Sequence, residues 1–274
     1  MTCDENEKVA WDANPAAGTR KTLEINGVEF PFRYCPPGTF LMGAPEFDEA
    51  GVREVTLTRG FWTLETPVTQ RLYEAITGEN PSEFSTSGQF ADDVAGLDTS
   101  DFPVENVSWF DCQDYCEALN ALNVAPTGFA FRLPWEAEWE YACRAGTTTP
   151  FFWGTTLNGD RANCNGNEPY GDVEPGPCLE RPSAVGSYGA NPWGLVDMSG
   201  NVWEWAADWW GKYDATPQTD PTGPSEPTPG WGRIVRGGSW DDEADLCLSG
   251  SRLGEFPEDV NYIYGFRIVL ARKV

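Results

Sequence analysis

The sequence predicts an α+β fold in which short antiparallel strands and a few helices are joined by much irregular chain. Three observations lead there. With 29 Gly and 22 Pro among 274 residues, turns are too frequent for a helical bundle. Helical periodicity is confined to three stretches. Asn26-Gly27 separates two apolar runs, the strongest short-range signal for a hairpin.

Residues 1–20 read as an N-terminal tail ahead of a single domain spanning 21–274. Leu23 to Ile25 and Val28 to Phe32 form the hairpin, and Gly38 to Gly43 and Glu54 to Leu57 read as further strands. Thr69 to Thr77 places Leu72, Ala75 and Ile76 on one helix face. Ser108 to Leu122 opens on a Ser N-cap with Asp111 three residues later and buries Cys112, Tyr115, Cys116 and Leu119. Pro134 to Ala145 starts on Pro and stops at Gly146. Its Glu136, Glu138 and Glu140 are read as acids answering the helix dipole. Alternate helix positions do not converge, so they are not read as a glycosidase pair. Thr155 to Gly194 and Tyr213 to Gly232 are read as surface loops, the first long enough to need a function or something specific, such as a metal, to hold it. Val202 to Trp210, Arg233 to Trp240 and Gly265 to Leu270 complete the chain, with Phe266, Ile268 and Leu270 on one face. Most of Trp203, Trp205, Trp209 and Trp210 are read as core rather than as a carbohydrate platform.

Composition narrows the function. Eighteen basic against 43 acidic residues, with no histidine, give a formal charge of −25. Without imidazole there is no Ser-His-Asp or Cys-His pair, H-E-x-x-H zinc site or histidine-held iron. Phosphate backbones and anionic membranes repel so acidic a chain, so no nucleic-acid partner is expected. No apolar run approaches the ~20 residues of a membrane span. The eight cysteines contain no C-x-x-C pair and are read as mostly free thiols. The chain reads as a monomer, located either in the cytoplasm or, where a signal or lipid anchor has been removed near Cys3, at a bacterial cell surface.

Motifs then occur in a fixed order. They are Gly38-x-Phe40-x-Met42-Gly43, Glu65-Thr66-Pro67-Val68-Thr69-Gln70 and Pro103-Val104-x-x-Val107-Ser108-Trp109, then the run from Phe131 to Ala142 (F-R-L-P-W-E-A-E-W-E-Y-A). Gly200-Asn201-Val202-Trp203-Glu204-Trp205, Arg236-Gly237-Gly238-Ser239-Trp240 and Gly265-Phe266-Arg267 follow. Over about residues 28–272 this resembles the sulfatase-modifying-factor, or formylglycine-generating-enzyme, family. The resemblance implies a C-type-lectin-like fold. Oxidising members hold copper with two cysteines, and the matching positions here are Asp242 and Cys247. A carboxylate in place of one soft thiolate argues against copper(I) and oxygen activation, and the iron-dependent branch needs histidines. The expectation is therefore no copper, no iron and no catalytic residue. Cys116 and Cys143 match half-cystine positions of some family enzymes, but their partner positions hold Ile268 and Arg252. The resemblance also implies structural calcium at Asp197, Gly200, Val202 and Glu204, with a second site at Asn163 and Cys164.

The segment from Trp240 to Tyr264 departs from the family by being apolar and aromatic, with Leu248 and Val260 where family members usually carry Arg. Its place near the C-terminus resembles the variable region of the variable proteins of diversity-generating retroelements, whose ligand-binding face is diversified at adenines. The candidate ligand-binding residues are Trp240, Asp241, Asp242, Asp245, Leu246, Leu248, Leu253, Phe256, Val260, Asn261, Tyr262, Ile263 and Tyr264. The expected function is a non-catalytic protein binding an unidentified protein or small molecule through this segment. The alternatives are a formylglycine-generating-type oxidase with an altered site and a structural or regulatory relative with no ligand of its own.

Overall fold

Asn26 and Gly27 take φ values of 51° and 80°, the paired left-handed conformations of a two-residue hairpin turn, and join β1 (Arg20–Ile25) to β2 (Val28–Cys35). The structure is a computed structural model that describes residues 11, 14–44 and 52–273. Most of the expected tail, Cys3 included, lies outside the described residues, but the buried Trp11 ring meets those of Phe32 and Trp62.

β2 pairs with β5 (Phe61–Leu64), β5 with β12 (Val269–Arg272), and β12 with β6 (Phe129–Arg132), completing an antiparallel five-stranded sheet in the order β1-β2-β5-β12-β6. A second sheet runs β10 (Arg252–Glu255), β9 (Arg233–Arg236), β7 (Trp203–Trp209), β11 (Tyr264–Gly265), with β11 parallel to β7. The third contains β3 (Gly38–Met42), β4 (Arg53–Leu57) and β8 (Gln218–Thr219). Strands β5, β6, β8 and β10 are not marked in the sequence. They are two to four residues long, too short to show a period, and β5 is buried at every position.

The helices start where their caps place them. Thr69 Oγ1 accepts from the Leu72 amide (3.2 Å) before α1 (Gln70–Thr77), and Ser108 and Asp111 form a reciprocal capping box before α2 (Trp109–Ala121). Phe266, Ile268 and Leu270 enter the main core with Phe32, Trp62, Tyr115 and Phe131, whereas Val269 faces a second cluster with Cys143 and Leu195.

Two sequence readings need correction. The Thr155–Gly194 region is not simply a surface loop: Leu157, Ala162 and Cys164 pack with Phe151, Ala244, Cys247 and Leu248 in a third cluster. Likewise, in the Tyr213–Gly232 region, Tyr213 is buried and β8 joins a sheet. Glu136 and Glu138 do stand in the first turn of α3 (Glu136–Arg144), where the helix dipole favours acids, but every residue of α3 is buried and the acids also hold ion pairs. Glu136 and Glu140, one turn apart, do converge, and the residue on which they converge is Arg236. Glu140 also accepts from Arg144 Nε and the Gly43 amide, both at 2.8 Å. Glu136 holds Arg252 through bonds of 2.7 and 3.0 Å and accepts from the Tyr213 hydroxyl at 2.9 Å. Glu138 forms a two-pronged pair with Arg132.

A buried ion pair that loses one partner strands the other's charge. Glu140→Ala should therefore lower unfolding free energy by about 3–5 kcal/mol in urea titrations. Removing the exposed Arg71–Asp101 pair by Arg71→Ala should cost less than about 1 kcal/mol.

Candidate functional site

Arg236 is also the anchor of the C-terminal segment. While Nη2 pairs with Glu140, Nη1 donates to the carbonyls of Gly250 and Ser251, and Nη2 donates to that of Ser249. The start of the segment is held by Asp242. Its Oδ2 accepts from the Ser239 amide (2.9 Å), the Ser239 hydroxyl and Trp203 Nε1 (2.8 Å). Between and beyond these ties, the thirteen candidate ligand-binding residues divide. Phe256, Val260 and Tyr262 are the outermost apolar ones, 51, 53 and 36% exposed, and Asp241 is exposed as well. Asp242, Asp245, Leu246, Leu253, Asn261 and Ile263 are half-buried.

Three candidates face inward. Leu248 is 1% exposed because it closes the third cluster. Tyr264 lies in β11 with its ring 5.4 Å from Trp205. Trp240 is buried against Phe84, ring centroids 5.4 Å apart. A ligand does not meet these three without rearrangement; they support the face rather than form it. The structure adds Phe84 and Phe90, whose stacked rings lie 4.7 Å apart and meet Tyr262 edge-on. They sit in a Ser- and Gly-rich stretch without periodicity, so their only mark in the sequence is being aromatic among polar residues. Trp109 donates its amide to Pro257 O (3.1 Å), and its neighbour Phe110 is a further exposed aromatic.

Beneath Phe84 lies Glu105, fully buried, with Oε1 accepting the Phe84 amide at 2.8 Å and Oε2 without a partner. Burial pushes its carboxyl up to about 8. Asp208, buried and accepting from the Glu136 amide at 2.6 Å, is likewise pushed to about 8 by burial, with Glu136 adding to the shift.

At the two positions matching the copper pair, Asp242 serves as the hydrogen-bond acceptor just described, and burial raises its carboxyl above the ordinary range. Cys247 lies under Gly238, which adopts φ 73° and could not carry a Cβ without striking the Cys247 sulfur. The thiol that does reach Cys247 belongs to Cys164, a contact that no sequence spacing marks. The hydrogen bond between them draws Cys164 below the ordinary thiol range and, with burial, pushes Cys247 well above it.

The residues matching the calcium sites fit a cation unequally. Both Glu204 oxygens are occupied: Arg267 Nε and Nη2 donate at 2.6 and 2.7 Å, and Trp139 Nε1 at 2.7 Å. Asp197 Oδ2 accepts the Gly186 amide (2.6 Å), and burial pushes its carboxyl up to about 6. Asp197, Gly200, Val202 and Glu204 therefore do not form a four-ligand cage in this arrangement, because Glu204 answers a guanidinium. Asn163 fits better. Its carbonyl receives the Asn201 amide (2.8 Å) and leaves no room for a Cβ on Gly200, while its own Oδ1 is buried without a donor, as an oxygen ligand to a hard cation would be. Asn163, with the Cys164 carbonyl beside it in the chain, would hold such an ion. Among the described residues no group of three or more Cys, Asp or Glu could hold a metal, and no helix is long and apolar enough to cross a membrane.

Curled, largely antiparallel sheets, three helices among the described residues and long irregular segments pinned by buried arginines define the C-type-lectin-like fold of the formylglycine-generating type. A model of the sulfatase-modifying factor enzyme 1-like domain matches residues 33–272, and the chain belongs to that family. Formylglycine-generating enzymes of Mus musculus and Streptomyces coelicolor are each 36% identical over 161 and 176 residues, 57 and 60% of this chain but 40 and 51% of theirs. The inactive C-alpha-formylglycine-generating enzyme 2 of Bos taurus is 34% identical over 176 residues, 61% of this chain and 50% of that one. The chain thus spans about half, or less, of the length of these relatives. Among solved structures, Treponema denticola variable protein 1 superposes with a TM-score of 0.77 at 26% identity, covering 93% of this chain and 99% of that one. PvdO from Pseudomonas aeruginosa shares the fold, with a TM-score of 0.70 at 24% identity and the same coverage.

The elevated carboxyls set a pH dependence. Folded Glu105 binds a proton up to about pH 8 and unfolded Glu105 only to about 4.5, so its contribution to stability is complete below 4.5 and is lost as pH rises through 8. Urea midpoints should fall from pH 5.5 to 8.5, and Glu105→Gln should make that fall shallower, with Asp208 and, at the acid end, Asp197 still contributing.

Proposed function

We propose that the protein is a non-catalytic binding protein that displays residues 240–264 as a variable surface on its lectin-like scaffold. The observation that carries this reading is the exposure of Phe256, Val260 and Tyr262 on a stretch whose base is pinned through Arg236 and Asp242. Exposed apolar and aromatic side chains on a rigidly held irregular segment suit a ligand with an apolar face, with Tyr262 and Phe256 as anchors. The variable protein of Treponema denticola has the same architecture over nearly its whole length, which supports the comparison with diversified proteins. Asp242 supports the absence of oxidation, because a carboxylate engaged by three donors replaces a soft thiolate ligand.

The test is genomic and then physical. A near-copy of the DNA encoding residues 240–264, differing mainly at adenines, is expected near the gene, and its absence would overturn the diversified form of the proposal. Phe256→Asp with Val260→Asp should leave stability within about 0.5 kcal/mol per site, since neither side chain enters the core. The same pair should abolish capture of whatever ligand the unaltered protein retains.

A second reading, an oxidase with an altered site, draws on one observation: Cys164 supplies Cys247 with a neighbouring thiol. Incubation with copper(I), oxygen and a peptide carrying a sulfatase motif should leave the peptide cysteine unchanged. Its conversion to formylglycine would establish the second reading in place of the first.

A further inference from the structure

The Thr155–Gly194 region and the C-terminal segment are laced together by backbone. The Asn165 amide donates to Asp242 O (2.9 Å), the Ala244 amide donates to Glu168 O (3.1 Å), and Asn165 and Glu243 form a parallel bridge. This lacing places Cys164 and Cys247 together in the buried cluster walled by Phe151, Leu157 and Leu248, where Cys247 Sγ lies 3.9 Å from the Ser239 and Glu243 carbonyls and each thiol shifts the titration of the other. Both residues are almost fully buried. Gly238 packs directly on the Cys247 sulfur, so the Cys247 side chain has little freedom to turn away. Cys112 and Cys116 also approach each other, but they are neighbours along one helix; Cys164 and Cys247 join two segments distant in the chain.

We propose that Cys164 and Cys247 form a redox-dependent disulfide that staples the base of the displayed segment to the Thr155–Gly194 region. The proposal does not depend on the binding function. The electron acceptor is a small disulfide such as oxidised glutathione, acting during folding or local opening, before the cluster closes. The Cys164 thiolate attacks one acceptor sulfur, forming a mixed disulfide and releasing one glutathione thiolate. Cys247, after giving its proton to water, attacks the Cys164 sulfur and releases the second. In total the two protein thiols lose two protons and two electrons, and one acceptor disulfide becomes two thiols. The cross-link closes a long loop, so it removes entropy chiefly from the unfolded chain. It tethers the segment at Cys247 and leaves Phe256 to Tyr262 beyond the staple.

The experiment folds the full chain from the reduced, denatured state in a glutathione redox buffer, blocks remaining thiols in denaturant and maps the peptides. The expected result is one peptide pair joined through Cys164 and Cys247, two fewer blockable thiols than in the reduced chain, and a Tm about 5–10 °C above that of the reduced protein. Cys164→Ser and Cys247→Ser should each lose that Tm difference. If either variant fails to fold, the peptide map of the unaltered chain decides. Cross-links from Cys143 or Cys178 instead, or a full complement of thiols after oxidation, would overturn the proposal. So would a pair that binds silver(I) one to one yet never yields the linked peptide.

Discussion

The guanidinium of Arg236 is fully buried in a strongly acidic chain, and three separate parts of the fold are positioned by the need to satisfy it. An unpaired charge there would cost several kcal/mol, and both Nη groups find acceptors while Nε is left without one. Glu136 and Glu140 come from α3, the carbonyls of Ser249, Gly250 and Ser251 come from the C-terminal segment, and Arg236 itself ends β9. Beside it, 5.2 Å from its guanidinium, the Trp139 ring turns its Nε1 to Glu204, and Glu204 in turn neutralises Arg267. The sequence motifs are therefore complementary halves. The W-E-A-E-W-E-Y stretch supplies the carboxylates for R-G-G-S, and G-N-V-W-E-W supplies the one for G-F-R. A chain with little regular structure gains from these pairs what longer sheets and helices would otherwise provide, a unique mutual arrangement of distant segments.

The same network explains why some of the fold was legible and some was not. Local chemistry carried the Asn26-Gly27 hairpin and the Thr69 and Ser108 caps, which are decided within four residues of chain. The role of Glu136, Glu138 and Glu140 was not legible, since amphipathic reasoning assumes a helix with a wet face and α3 has none. At the candidate site, apolar content marked the segment, but which side chains face outward depends on strand pairing. Tyr264 turns inward because β11 lies against β7, and Leu248 because the Phe151 cluster receives it. Phe84 and the Cys164 contact come from regions that meet the segment only in three dimensions.

Asp242 stands where the resemblance to the family places a thiolate, and its contacts differ in kind from those a metal ligand needs. A thiolate ligand must be left accessible to a metal and a substrate, and its environment is built around that demand. A carboxylate at the same place accepts the Ser239 amide, its hydroxyl and the Trp203 indole, closing the turn that follows R-G-G-S with bonds a sulfur accepts only weakly. That corner is thereby part of the frame. The frame runs on through Arg252, held by Glu136, and β10 to Glu255, and it resumes at Ile263 and Tyr264, so it is the exposed side chains between these that make few demands on the core. Phe256, Val260 and Tyr262 can change without touching Arg236, Glu140 or Arg267. Separation of a satisfied ionic frame from an unconstrained apolar rim is the physical condition for a surface that varies while its fold does not.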